Sequence, residues 1–302
     1  MAKQRTHSLN QSLLYAVGSK SKLFEILELP SRRALDALVK AGDDENYVEF
    51  DKDDRHIECP VGQMADCHER LATLLKRIAL PDYVHSQKGR SYVSNAKAHA
   101  RCMPIAKTDI TQYFPSTKFS HVHRLFAEDL NCPPDIAWYL TKLCTFRGHI
   151  PTGSKISNPL AFLANRPLFD SIFKYAQGRA CVMTLLQDDI VISGLAASTD
   201  MLNQTLMMIR RWGLRASEKR KKTKTYSASS SKMVTGVVLR NGLPTLPNKR
   251  RKLMSDAYKR VETAQTKAER RKAILELRGR VTEADQIDPE AVYSLFWRLV
   301  ES

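Results

Sequence analysis

The sequence lacks any apolar run approaching the ~18 residues needed to cross a bilayer, so no membrane partner is expected. The opening stretch MAKQRTHSLNQSLLYAVGSK lacks a secretory h-region. There is no CxxC pair, and the six cysteines (Cys59, Cys67, Cys102, Cys132, Cys144 and Cys181) are scattered. A disulfide framework does not fit that pattern, which reads as reduced, mostly buried thiols of a cytoplasmic protein. Internal repeats and low-complexity tracts are absent. Acidic residues are scarce relative to basic ones, 32 against 48, for a net charge of +16. With 43% hydrophobic and 26% charged residues, the chain is globular rather than disordered. Its 302 residues suffice for one large domain or two to three small ones. The excess of positive charge points to a polyanionic partner, nucleic acid by default, although a solvated basic surface gives the same count.

Periodicity predicts mixed helical structure over residues 1–50, a strand at RHIECP, and a helix in MADCHERLATLLKRIAL ahead of Pro81. A short strand runs from Ile105 into Asp109. A helix starts near Ser116, with Phe119, Val122, Phe126 and Leu130 on one face, and Asn131 ends it. Another starts with Asn158 as N-cap and Pro159 in the first turn, and stops at Gly178. ACVMTLL and IVIS are strand-like, Met201–Trp212 is helical, and KMVTGVVL is expected as one strand before the hairpin dipeptide Asn241-Gly242. The remainder is helical and basic, with an apolar stripe of Leu253, Ala257, Val261, Ala264 and Ala268. Lys249–Arg280 carries 12 Lys and Arg against 4 Asp and Glu. The order predicts an α+β fold, a small antiparallel sheet with helices packed on one face.

In LLQDDIVISG, Asp188 and Asp189 stand side by side at the expected tip of a hairpin, where they repel one another. Either the tip is an exposed acidic turn, or something neutralises it. Asp109 closes a separate apolar strand. If the strand ends are neighbours, three carboxylates form a cluster of hard oxygen ligands suited to Mg²⁺. Two ions so held activate a 3′-hydroxyl and stabilise a leaving pyrophosphate in an in-line displacement.

Four stretches occur in order: SNAKAHARCMPIAKTDITQYFPS, IPTGSKISNPLAFLAN, LLQDDIVISG and KKTKTYSASSSKMVTGVVL. Together they resemble the reverse transcriptases, and within them the retron type. That family has an aspartate followed by paired aromatics, a PQG-like loop before a helix, YADD, a Lys-Thr pair, and the retron-specific NAxxH and VTG. The resemblance runs from about Arg55 to the C-terminus. It implies a right-hand polymerase: an N-terminal helical region over 1–50, mainly fingers over 51–104, palm with a small antiparallel sheet over 105–246, and a helical basic thumb over 247–302.

The resemblance also implies roles. Asp109 and Asp188 are the metal ligands, Asp189 the third acidic position, and Ile110 offers a backbone carbonyl. Phe114 packs under the sugar and excludes a 2′-hydroxyl. Thr152 and Gly153 contact the incoming nucleotide and template, Arg55 grips the triphosphate, and Lys222 (with Lys224 as rival register) meets the pyrophosphate. Lys88 and Arg90 are further candidates for phosphate contact. Val234, Thr235 and Gly236 match VTG, associated with recognition of the cognate RNA. Asn95 and His99 match NAxxH, which orders the loop beside the palm or touches RNA. Lys249, Arg250, Arg251 and Lys252 open the thumb and face a phosphate backbone. The chain departs from the family at Leu186 (for tyrosine), Gln187 (for a small residue) and Thr152 (for glutamine).

The implied function is a retron RNA-directed DNA polymerase using two Mg²⁺ ions and dNTPs. It copies a bound cognate structured non-coding RNA, both template and primer, into RNA-linked single-stranded DNA (msDNA). The implied setting is antiphage defence with a separately encoded effector protein. Two alternatives stand beside it: an RNA-binding scaffold with weak or no polymerase activity, and a template-independent DNA-synthesising defence polymerase.

Overall fold

The computed structural model describes residues 6–289. The chain opens with α1 (Lys20–Ile26), α2 (Arg32–Lys40) and α3 (Asp43–Asn46). Next come β1 (Tyr47–Lys52), β2 (Arg55–Pro60), α4 (Gly62–Leu75) and α5 (Tyr92–Lys97). After β3 (Ile105–Asp109) follow α6 (Tyr113–Ser116), α7 (Phe119–Arg124), a π-helical segment at Leu125–Asp129, and α8 (Pro134–Cys144). The long α9 (Ser157–Gln177) precedes β4 (Val182–Leu186), β5 (Asp189–Ser193) and α10 (Thr199–Arg211). Four short strands, β6 (Lys224–Tyr226), β7 (Lys232–Val234), β8 (Val237–Arg240) and β9 (Leu243–Thr245), lead to α11 (Asn248–Thr263) and α12 (Lys267–Ile287). This is the expected α+β class with small antiparallel sheets.

The chain divides into two compact units. The first takes the chain up to Asp82, then Asp109–Lys174 and Thr205–Ser217. Its amphipathic α4 buries Met64, Leu71 and Leu75, and packs on α8, which buries Ile136, Leu140 and Leu143. Phe126, Phe146 and Phe169 are fully buried in the same unit. The β1–β2 hairpin is antiparallel from Tyr47↔Pro60 to Lys52↔Arg55. Its two-residue turn puts Asp53 and Asp54 in left-handed backbone, which aspartate tolerates better than most residues.

The second unit takes Tyr83–Thr108, Tyr175–Gln204 and the chain from Glu218 onward. It holds a four-stranded sheet of order β4-β5-β3-β6 and a three-stranded sheet of order β7-β8-β9. One hydrophobic core ties Val93 and Ala96 of α5, Val191 of β5 and Val237 of β8 to Met254 and Ala257 of α11 and Leu277 and Val281 of α12.

Several expectations need correction. The helix from Ser116 through Leu130 is broken into α6, α7 and the π-helical segment, although Asn131 closes the run in left-handed backbone. α9 begins at Ser157, not at an Asn158 cap, and Ser157 Oγ donates to the carbonyls of Pro151 and Ser154. KMVTGVVL is not one strand. Thr235 and Gly236 have φ of 42° and 86°, so the stretch folds back as the β7–β8 hairpin. The apolar stripe beyond Val261 does not continue, because α11 ends at Thr263 and Thr266 with Glu269 forms a capping box that starts α12. The strands β1 and β6 were not expected. Residues 290–302 of the expected thumb, and 1–5 of the expected N-terminal region, lie outside the described residues.

Candidate functional site

The acidic hairpin is tighter than its sequence implies. β4 pairs with β5 from Val182↔Ser193 to Leu186↔Asp189, which leaves only Gln187 and Asp188 in the turn. Gln187 takes φ of 57°, a left-handed conformation. Asp189 is therefore the first residue of β5, and both carboxylates are half-buried. The outer edge of β4 is covered, since Leu185 exchanges backbone hydrogen bonds of 2.8 and 2.7 Å with Tyr83 and His85. β5 is hydrogen bonded on its other side to β3, whose last residue is the buried Asp109.

β6 lies beyond β3, and the residues entering it bear on this chemistry. Lys222 Nζ is 3.9 Å from Asp189 Oδ1. Thr223 Oγ1 is 2.8 Å from Thr108 Oγ1. The rival Lys224 instead lies over the Tyr226 ring, 4.2 Å from its centroid. Among the described residues, no three His, Cys, Asp or Glu side chains are gathered into a ready metal cage. The expected donor set of Asp109, Asp188 and Asp189 carboxylates with the Ile110 carbonyl is oxygen throughout, the chemistry a hard divalent cation takes.

His99 is fully buried and bonds a side chain from each of the two strands that carry this hairpin. Its Nδ1 is 2.7 Å from Ser193 Oγ on β5 and its Nε2 is 2.7 Å from Thr184 Oγ1 on β4. Burial pushes its pKa down to about 3, so the ring is a neutral strut. Asn95 is equally buried and donates from Nδ2 to Thr235 Oγ1 at 3.3 Å, and Thr235 Oγ1 donates to the Tyr92 carbonyl at 2.9 Å. Gly236 has no room for a larger side chain without displacing the Arg250 guanidinium, 3.1 Å from where a Cβ would sit. Arg250 donates to Tyr92 Oη at 2.8 Å and pairs with Glu283 at 2.9 Å. The NAxxH and VTG stretches and the first turn of α11 are thus one connected network. Asn95, His99 and Val234 are buried within it, so any part they play in RNA recognition passes through the shape they hold. Lys249, Arg251 and Lys252 are exposed.

In the first unit, Ile110 is buried and bridges to Ala216, and the Asp109 carbonyl accepts from Ser217 N at 2.8 Å. Tyr113 is buried against Phe169, while the neighbouring Phe114 is half-buried. Arg55 is exposed at the start of β2. Thr152 and Gly153 lie along the edge of that strand. Thr152 Oγ1 accepts from Glu58 N at 3.0 Å and donates to the His56 carbonyl at 2.8 Å, while Gly153 N donates to the Glu58 carbonyl at 2.9 Å. The threonine hydroxyl is therefore spent within the protein.

Three further residues in this unit were not singled out in the sequence. Glu58 is buried and receives a hydrogen bond from Thr152 N at 3.0 Å, with His149 Nε2 2.9 Å from its other oxygen. His68 is buried, with Nδ1 2.6 Å from Ser154 Oγ and Nε2 donating to the Leu143 carbonyl at 2.6 Å. Burial pushes its pKa down to about 4. The one signal for Glu58 is a carboxylate set between Ile57 and Cys59.

No protein-family model matches the chain. Among curated proteins, it is 27% identical over 238 residues to the Retron Se72 reverse transcriptase of Salmonella heidelberg (strain 579083-10), covering 73% of this chain and 62% of that protein. It is 28% identical over 187 residues to the Retron Ec48 reverse transcriptase of Escherichia coli, 61% of this chain and 44% of that one. The Retron Ec86 reverse transcriptase of Escherichia coli matches at 30% over 113 residues. The chain is related to the retron-type reverse transcriptases. It spans less than two thirds of the length of these relatives. Among the described residues, no helix is long and apolar enough to cross a membrane.

Proposed function

We propose that this chain is an RNA-directed DNA polymerase of the retron type. The observation that carries the reading is the sheet order: β5, opening on Asp189, is hydrogen bonded to β3, closing on Asp109. That order gives both acidic segments of the motif pattern to one sheet. Asp109 and Asp188, with Asp189 behind them and the Ile110 carbonyl as a backbone ligand, would hold two Mg²⁺ ions. Bound there, the ions supply activation of a 3′-hydroxyl and neutralisation of the leaving pyrophosphate.

The chain's own groups do the rest. Lys222 approaches the acidic hairpin and is the better placed of the two rival lysines to meet the pyrophosphate of a dNTP. Phe114 limits the sugar edge, Arg55 grips the triphosphate, and the Thr152–Gly153 loop shapes the nucleotide and template pocket through its backbone. The hand is divided into fingers over 51–104, palm over 105–246 and thumb over 247–302. Lys249, Arg251 and Lys252 on the thumb meet the phosphates of the cognate RNA, with Arg250 holding the VTG turn behind them. The product is RNA-linked single-stranded DNA in a cytoplasmic antiphage system with a separately encoded effector, a setting the resemblance alone supports.

The test is to purify the protein with RNA from its genomic neighbourhood and assay for RNA-linked single-stranded DNA, beside an Asp188→Asn/Asp189→Asn control. DNA from the intact protein only, with RNA retained by both, supports the reading. Copurified RNA without DNA refutes it in favour of a scaffold. DNA whose sequence ignores the RNA points to template-independent synthesis.

A further inference from the structure

Glu58 is a carboxylate with 7% of its side chain exposed, and burying it is costly unless every oxygen is satisfied. The structure meets that cost with one local arrangement. Oε1 is 2.9 Å from His149 Nε2 and Oε2 accepts from Thr152 N at 3.0 Å. The Glu58 backbone adds two bonds to the same loop, through Thr152 Oγ1 and Gly153 N. The approach is so close that a Cβ at Gly153 would lie 2.8 Å from the Glu58 carbonyl oxygen and 2.8 Å from Ile57 Cγ2. The loop therefore lies along the open edge of β2 like a third strand.

The other side of the loop is fixed to the body of the first unit. Phe119 N donates to the Gly148 carbonyl at 2.8 Å, Ile150 N donates to the Thr117 carbonyl at 3.2 Å, and Asn165 of α9 donates to Thr117 Oγ1 at 2.8 Å. The base of the β1–β2 hairpin is held by Tyr47, whose ring packs on Phe146 and His68, but the rest of β1 has little packing. Five of the six residues of β1 are exposed, and an isolated two-stranded hairpin is marginal in water. Arg147 pairs with Asp44 and Glu49 near β1, but that guanidinium is half exposed, and exposed ion pairs contribute little. Arg55 lies three residues before Glu58 on β2, and Thr117 lies three residues after Phe114.

We infer that Glu58, with His149, is a positioning residue that locks the Arg55 hairpin to the Thr152–Gly153 loop and to the segment after Phe114, so that these elements meet an incoming nucleotide as one rigid frame. The inference rests on the polymerase reading above. Glu58 touches no nucleotide itself. Its removal lets the hairpin swing relative to the loop, and small misplacements of binding groups are expensive.

The test is steady-state dNTP incorporation by the RNA-bound protein. Glu58→Ala should raise the KM for dNTP about tenfold while kcat at saturating dNTP falls less than about threefold. Glu58→Gln, which keeps a polar side chain of the same length, should recover most of the loss. If Glu58→Ala does not fold, Glu58→Gln and His149→Ala carry the test, and a raised KM in His149→Ala is expected. A loss of thermal stability with KM unchanged in the folded variants overturns the inference and makes Glu58 merely structural. A wild-type chain that makes no DNA instead overturns the polymerase reading on which it rests.

Discussion

Two buried neutral histidines should make this protein acid-labile well above the carboxylate range. His99 and His68 have folded-state pKa values pushed down to about 3 and about 4 by burial, against an ordinary 6.5. The folded state therefore binds fewer protons than the unfolded chain once the pH drops below 6.5. The stabilisation is fully present above that value and is lost progressively as the pH falls toward 4 and 3. At pH 5 an unfolded histidine is almost fully protonated while either folded one is neutral, a difference of about 2 kcal/mol each and about 4 kcal/mol together. Against a typical total of about 5–15 kcal/mol, that is a large fraction. His85, with its pKa lowered by partial burial and nearby Arg90, acts in the same direction. His56, raised by Glu49 and Asp51, acts in the opposite direction, but it is fully exposed and its share is small. The depressed carboxylates Asp36, Glu49, Glu69 and Glu276 lose their contributions only below this window. The assay is urea unfolding at several pH values between 7.5 and 5, repeated on His99→Gln. That variant should be less stable by about 1–3 kcal/mol at pH 7.5, because a hydroxyl of Thr184 or Ser193 loses its partner. It should also show a shallower fall toward pH 5. Wild-type stability that is flat across this window, or a slope untouched by His99→Gln, would refute the account of His99 as a neutral strut.

Lys222→Ala should slow single-nucleotide incorporation by about tenfold or more, while Lys224→Ala, whose ammonium lies over Tyr226, should cost much less; rapid-quench kinetics separates them. Gly236→Ala combines a φ of 86° with a Cβ 3.1 Å from Arg250 Nη2, so it should destabilise the protein by about 1 kcal/mol or more in chemical denaturation. RNA affinity should fall steeply with salt, and replacing Lys249, Arg251 or Lys252 by alanine should each reduce the log–log salt slope by about one, measured by filter binding.

The parts of the fold legible in the sequence were those written in local chemistry. Asn241-Gly242 specified a turn because both residues accept positive φ, and both adopt it. The strands flanking Gln187-Asp188 were readable because apolar runs bracket polar ones, and β4 and β5 follow. The failures were places where a local signal competed with another or came from far away. The apolar run of KMVTGVVL hid a hairpin because threonine, a strong strand former, occupies the left-handed position at 235. β6 was invisible because Lys-Thr-Tyr reads as a basic loop until β3 supplies a partner through Lys107↔Lys224 and Ile105↔Tyr226.

The site divides along the same line. Asp188 and Asp189 stood out because adjacent carboxylates need a reason, and Asp109 because it closes an apolar strand. Glu58 did not, because its partners His149 and Thr152 are about ninety residues downstream and nothing in HIECP announces them. His99 could be named from its motif but not understood, since the hydroxyls that hold it, on Thr184 and Ser193, are ordinary residues within strands. Its burial changes what the motif asks of it. A fully buried histidine reads no RNA directly, but it ties Thr184 of β4 to Ser193 of β5, the two strands that lead to Asp188 and Asp189. The retron-type signature and the acidic hairpin are then two ends of one mechanical unit, and a substitution at His99 should disturb catalysis before it disturbs RNA binding.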